Sequence, residues 1–238
     1  WGLYYVDERP SPGYGTSYFG GRKDDYDVIK SGNHNQGFVT EATEGYLDTM
    51  PGPNNTTVNA PWRELWNQAR AFATAPGLTQ TGNLNNAAYY RMLGCNADGT
   101  RNPSYPVLVD VDSLIDYMLV IFYTGDGDAP LSSFLANNRA NNWFTLRDRG
   151  NPDRGFVFIN HDAEHTLGAS NSQIDRTGPF NESNQTNFTY SNPQWLFQDL
   201  AFSPEFRLRV ADRAHKHFVQ NGGVMTTSVA QARFDSMV

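Results

Sequence analysis

An apolar run, Gly155-Phe156-Val157-Phe158-Ile159, ends in Asn160-His161-Asp162-Ala163-Glu164-His165, so four ionisable side chains fall within five positions shortly before Gly168. Carboxylates and imidazoles gathered at a strand end can hold a divalent cation or move protons. A second acidic cluster, Gly125-Asp126-Gly127-Asp128, follows another apolar run upstream. Turn duty explains most Asp-Gly pairs; the functional alternative is a carboxylate fixed in place by a buried helix. Strand alternation would set Asp162 and Glu164 on one side and His161 and His165 on the other. Two carboxylates form a hard-oxygen set that suits Mg²⁺ better than Zn²⁺, which ranks a histidine-based metal hydrolase behind a magnesium site.

Further candidates lie elsewhere. Asn141-Asn142 precedes an apolar strand and offers an amide oxygen to a cation, although paired Asn residues in loops are commonly turn formers. Lys30 closes a short apolar run and could reach a phosphate, and Glu8 closes an aromatic one; exposed strand-end charges would look the same. The glycines from Gly13 to Gly21 lack the Gly-Lys-Ser/Thr ending of a phosphate loop. His215 and His217 stand among basic residues late in a helix, where solvated cations are commonplace. Cys95 is the single cysteine, which excludes an internal disulfide and a cysteine-based zinc site.

The elements that must position these groups follow from periodicity. Residues 1–8 suit a strand stopped by Pro10, residues 10–21 a loop or broken turns, and 26–30 a short strand. Residues 31–60 are polar and turn-rich. From Pro61 the spacing predicts a helix that buries Trp62, Leu65, Trp66, Ala69 and Phe72 on one face. A weaker helix covers 85–93. The strongest spans 111–123, is nearly all apolar, and is capped by Asp112 or Ser113. Residues 143–147 and 156–159 read as a hairpin turning through Gly150-Asn151-Pro152-Asp153. Residues 169–193 are Ser/Asn/Gln/Thr-rich and featureless. Ser203-Pro204 opens a helix running to about Gln220 and closed by Asn221-Gly222-Gly223.

With 238 residues, 39% of them hydrophobic, the chain can build a sizeable core as one large or two small domains. Its net charge of −7 includes no Lys/Arg run, which argues against a nucleic-acid groove. An acidic chain can still hold a nucleotide when Mg²⁺ bridges carboxylates and phosphates. No apolar run approaches the ~18 residues of a membrane span. The chain opens on Trp1-Gly2-Leu3-Tyr4-Tyr5-Val6, which reads as mid-strand, and closes mid-helix, as a piece of a longer chain would.

Order adds to the single motifs. A strand-end Glu, a strand-end Lys, a buried helix, an Asp, an Asn before a strand and a second Asp near a Gly follow one another, as a catalytic Asp, an Asn and a metal-binding Asp do in protein kinases. The stretches Glu8-Arg9-Pro10, Ser17-Tyr18-Phe19-Gly20-Gly21, Tyr26-Asp27-Val28-Ile29-Lys30, Val111-Asp112-Ser113-Leu114-Ile115-Asp116-Tyr117-Met118, Asn142-Trp143 and His161-Asp162-Ala163-Glu164 resemble the CotH kinase family, relatives of a bacterial spore-coat protein kinase. The resemblance implies an α+β, atypical protein-kinase-like fold in one domain over 1–238. Residues 1–60 would be the remnant of a small strand lobe, lacking its N-terminal strands, and 61–238 mainly the larger helical lobe. It further implies Mg²⁺- and ATP-dependent phosphoryl transfer to a protein Ser or Thr, and an extracellular or cell-envelope address. Asp128 matches the catalytic Asp and Asp162 the metal-binding Asp, with Glu164 beside it. Asn142 would be the second metal ligand, and Glu8 and Lys30 the acidic and basic nucleotide-side positions. The pattern departs at Asn142, which stands fourteen positions beyond Asp128. The residues between, 131–140, either loop out and leave Asn142 in place or break the site. A catalytically inactive binding or surface-assembly module is the alternative.

Overall fold

Alternating side chains along β1 (Tyr26–Gly32), β3 (Trp143–Asp148) and β4 (Val157–Asn160), with β2 (Val39–Glu44) at one edge, build an antiparallel sheet of order β2-β1-β3-β4. The computed structural model describes residues 8–32, 39–44, 56–74, 86–168, 174–180 and 188–237. Most of the strand expected over 1–8 lies outside those residues. Register pairs Val28 with Leu146 and Lys30 with Phe144, then Phe144 with Ile159 and Leu146 with Val157. Because successive residues face opposite sides, one face gathers Tyr26, Val28, Phe144, Leu146 and Val157, and the other turns Ile29, Trp143 and Phe158 into the main core. The sheet runs continuously across the division expected at residue 60, since β1 hydrogen-bonds to β3. The fold is α+β.

The first face is covered by α1 (Pro12–Phe19), a helix where the glycines and prolines of 10–21 suggested a loop. Ser11 caps it by accepting from the Tyr14 amide at 3.2 Å, Pro12 begins it, and Gly20 stops it. Gly15 is required by contact: a Cβ there would sit 2.6 Å from the Tyr26 ring. The strand β2 also lies in a stretch without apolar pattern; its register is imposed by β1.

The second face meets helices. α2 (Thr56–Ala73) buries Trp62, Leu65, Trp66, Ala69 and Phe72, the face expected, but starts before Pro61, which lies inside it. α3 (Ala87–Met92) follows. The central helix α4 (Val111–Thr124) buries Leu114, Ile115, Tyr117, Met118, Leu119 and Ile121. Its cap is Asp110, which accepts from the Ser113 amide at 3.0 Å, not Asp112 or Ser113. Those two are inside the first turn and serve other partners: Asp112 binds Arg209, and Ser113 Oγ accepts from the Phe158 amide at 2.8 Å, tying α4 to β4.

In the segment expected to be featureless, Asn192-Pro193 starts α5 (Pro193–Leu200), with Asn192 accepting from the Trp195 amide at 3.1 Å. Ser203 caps α6 (Pro204–Ala214), which runs on as a π turn over His215–Val219 before α7 (Thr227–Met237). His217 is half-buried rather than solvated: its Nε2 lies 3.0 Å from Asp116 Oδ1, beside the Arg213–Asp116 and Arg209–Asp112 pairs that join α6 to α4. Among the described residues no helix is long and apolar enough to cross a membrane.

On β1 the Asp27 carboxyl is buried with Arg149 Nη1 2.5 Å away. Burial pushes it up to about 6, against the pull of Arg149 and Arg147. A carboxyl raised in the folded state stabilises the fold while protonated. That contribution is complete below its unfolded value of about 3.9 and is lost as pH rises through about 6. The melting temperature should therefore fall between about pH 4 and pH 6. Asp27→Asn should flatten that fall, and equal slopes in the two proteins would refute the assignment.

Candidate active site

Antiparallel pairing sets Trp143 opposite Asn160 at one end of the β3–β4 hairpin. The residues just outside it, Asn142 and His161-Asp162, are therefore neighbours. Asn142 and Asp162 both adopt left-handed backbone, φ 49° and 56°. Asn and Asp enter that region more readily than other non-glycine residues. Asn142 Nδ2 lies 3.5 Å from the Asp162 carbonyl oxygen and donates to Asp128 Oδ2 at 3.0 Å. One amide group thus bridges the carboxylate of Asp128 to the main chain of Asp162.

Asp128 is delivered from the other side. α4 ends on Gly125, whose φ of 64° suits glycine and turns the chain away from the helix axis. The following loop is stitched to the segment beyond β4: the Gly127 amide donates to His165 O at 3.1 Å and the Leu167 amide to Thr124 O at 2.8 Å. Asp126 takes the turn duty, its Oδ1 accepting from the Asp128 amide at 2.9 Å. Burial pushes the Asp126 carboxyl up, opposed by that amide and by Arg176. Asp128, largely buried, accepts from Ser132 Oγ on one oxygen and from Asn141 Nδ2, at 2.8 Å, and Asn142 Nδ2 on the other.

The intervening residues 131–140 leave and return. Leu131 bridges Ala140 in antiparallel fashion, with the Ser132 amide donating to Arg139 O and the Asn141 amide to Pro130 O, each at 3.0 Å. Asn142 therefore reaches Asp128 despite its separation in sequence. Of the two outcomes open for this stretch, it loops out.

The other expected residues are placed less tightly. β4 ends at Asn160, so residues 161–165 form loop and turn, and the alternation that grouped Asp162 with Glu164 does not apply. Glu164 is exposed and turns to His165, whose Nε2 is 3.3 Å away. The His161 ring stands edge-on to Phe144 at 4.9 Å, and Lys30 Nζ lies 6.0 Å from the centre of the same Phe144 ring. Lys30 and His161 thus share the Phe144 ring, and Asp162 is the next residue in the chain after His161. Glu8 is exposed and accepts from Tyr18 Oη at 2.9 Å at the outer end of α1.

Among the described residues no group of three His, Cys, Asp or Glu side chains is placed to hold a metal ion. Mg²⁺ on a nucleotide needs fewer protein ligands, because one or two carboxylates act together with phosphate oxygens and water. The carboxylate of exposed Asp162 and the amide oxygen of Asn142 are hard-oxygen donors of the kind that demand calls for. A groove of about 390 Å³ lies elsewhere, between α4 and β4, lined by Asp112, Ser113, Asp116, Phe158 and Asn160. Arg209 and Arg213 pair with its Asp112 and Asp116, and Asp110, which also lines it, caps α4, so it is a weaker candidate than the Asp128 cluster.

Sequence reading missed Ser132 and Arg176. Ser132 sits in the segment that seemed a mere interruption. Arg176 lies in a polar stretch without periodicity, and its burial is purely tertiary. No family model, curated protein or solved structure matches the chain, so function must be argued from the residues themselves.

Proposed function

We propose that this chain is an atypical, kinase-like phosphotransferase domain that moves the γ-phosphoryl group of Mg²⁺-ATP to a Ser or Thr hydroxyl of a protein. One observation carries the reading: Asn142 links the carboxylate of Asp128 to the main chain of Asp162, so three residues far apart in sequence share one site. Those three positions are among the six that the resemblance to the CotH kinase family marks, the others being Glu8, Lys30 and Glu164.

Asp128 orients the acceptor hydroxyl and takes its proton as the oxygen bonds to the γ-phosphorus and the bond to the leaving β-phosphate oxygen breaks, releasing ADP. Asp162 and Asn142 Oδ1 would hold Mg²⁺, which when bound neutralises charge on the transferred group. Lys30 would supply a cation on the phosphate side, while Glu8 and Glu164, turned to Tyr18 and His165, carry no step. Such chemistry asks the protein mainly for position and charge; Asp128 follows the end of α4, Asn142 immediately precedes β3, and the two are joined by a hydrogen bond.

The same contacts favour a second reading. Three donors already occupy Asp128, as they would a purely structural carboxylate in an inactive binding or surface-assembly module. Transfer of labelled γ-phosphate from ATP to a generic protein acceptor, or to the chain itself, separates the two. Transfer lost in Asp128→Asn supports the kinase; stabilisation by Mg²⁺-ATP without transfer supports the module.

A further inference from the structure

We infer that Arg176 is a positioning residue for the Asp128 site: it clamps the 131–140 excursion shut and so seats Asn141 and Asn142 against the carboxylate. The catalytic consequence rests on the phosphoryl-transfer reading, whereas the clamp stands on geometry alone. The Arg176 side chain is 1% exposed. Its Nη1 donates to Asn137 Oδ1 at 2.6 Å and its Nη2 to Leu131 O. One planar fork therefore holds both the tip and the base of the excursion. Leu131 is the residue bridged to Ala140, immediately before Asn141.

The tip needs such a hold. Ala136 and Asn137 both have left-handed backbone, φ 56° and 55°, a conformation alanine in particular disfavours. The root of the clamp is fixed too: Asp175 Oδ1 accepts from the Thr177 amide at 2.8 Å and from Thr177 Oγ1 at 2.6 Å, setting the backbone on either side of Arg176. The guanidinium stacks 4.9 Å from the Phe180 ring and shares its field with the buried Asp126 and Asp128 carboxylates. It is thus both the fork that shapes the excursion and the counter-charge beneath the loop. A lysine keeps the charge but loses the planar two-point grip.

Hydrogen exchange and phosphoryl transfer in the full chain, with Arg176→Lys and Asn137→Gly, test the clamp. Asn137→Gly removes one contact at a position glycine accepts without strain. Arg176→Lys should speed exchange of the Ser132 and Asn141 amides at least about tenfold while leaving the Met118 amide in α4 unchanged. It should lower kcat about tenfold with KM for ATP within about threefold. Asn137→Gly should move the same readouts in the same direction, less far. Unchanged exchange at Ser132 and Asn141, or equal acceleration at Met118, overturns the clamp. Absence of transfer in the unaltered chain overturns the kinase reading alone, and the exchange comparison still decides the clamp.

Discussion

Asp128→Asn should lower kcat for phosphoryl transfer about 10³-fold while leaving KM for ATP within about threefold. The substitution keeps size and shape, so the loop from Gly125 onward should still form. What it changes is hydrogen-bond polarity. The carboxylate accepts from Ser132 Oγ, Asn141 Nδ2 and Asn142 Nδ2, and an amide can accept on one atom only. With its NH₂ toward Asn141 and Asn142 it would meet two donors; turned toward Ser132, whose hydroxyl can accept instead, it keeps its hydrogen bonds, and in either orientation no basic oxygen remains to take the acceptor proton. A melting curve that coincides with that of the unaltered chain separates this from a folding defect, which would also lower the apparent kcat at unchanged KM. A loss of less than about tenfold would remove Asp128 from the chemistry.

Trp62→Ala should cost about 3–5 kcal/mol of stability. The Trp62 side chain is fully buried, with ring centroids 5.4 Å from Trp143, 5.3 Å from Phe156 and 6.2 Å from Phe158, and its Nε1 donates to Ser191 Oγ at 2.9 Å. It therefore joins α2 to both strands of the hairpin that presents Asn142 and Asp162. Truncation removes aromatic packing and leaves a cavity that the surrounding rings cannot fill by small shifts. Urea unfolding followed by circular dichroism checks it. Trp62→Phe, which keeps a ring but loses the hydrogen bond, should lie between the two. A loss in Trp62→Ala below about 1 kcal/mol would mean that this stack is not the keystone of the core.

Legibility in the sequence followed strength of pattern. α4 and the β3–β4 hairpin stood out because long apolar runs bounded by turn residues have few alternative structures, and the site hangs on their ends. The buried face of α2 was legible from helical spacing, but its start was not, because Pro61 resembled a first-turn residue. α1 was hidden by its own glycines, one of which is there to admit the Tyr26 ring. β2 and α5 lie in polar stretches where partners decide the conformation, although Asn192-Pro193 was a usable start signal. At the site, the meeting of Asn142 with Asp162 follows from antiparallel pairing alone. That of Asn142 with Asp128 does not, because it depends on the Leu131–Ala140 bridge and on Arg176 beneath it. The expected grouping of Asp162 with Glu164 assumed a strand that continued past Asn160. The left-handed backbone at Asp162 belongs instead to the turn where the strand has stopped.

The most direct measurement is the Mg²⁺ dependence of γ-phosphate transfer in the unaltered chain and in Asp162→Asn. If Asp162 holds the cation on the phosphates, the unaltered chain requires Mg²⁺, and Asp162→Asn needs at least about tenfold more for half-maximal rate and reaches a much lower maximum. Coincident Mg²⁺ curves, or transfer that proceeds without a divalent cation, would contradict a phosphoryl-transfer site built from Asp128, Asn142 and Asp162.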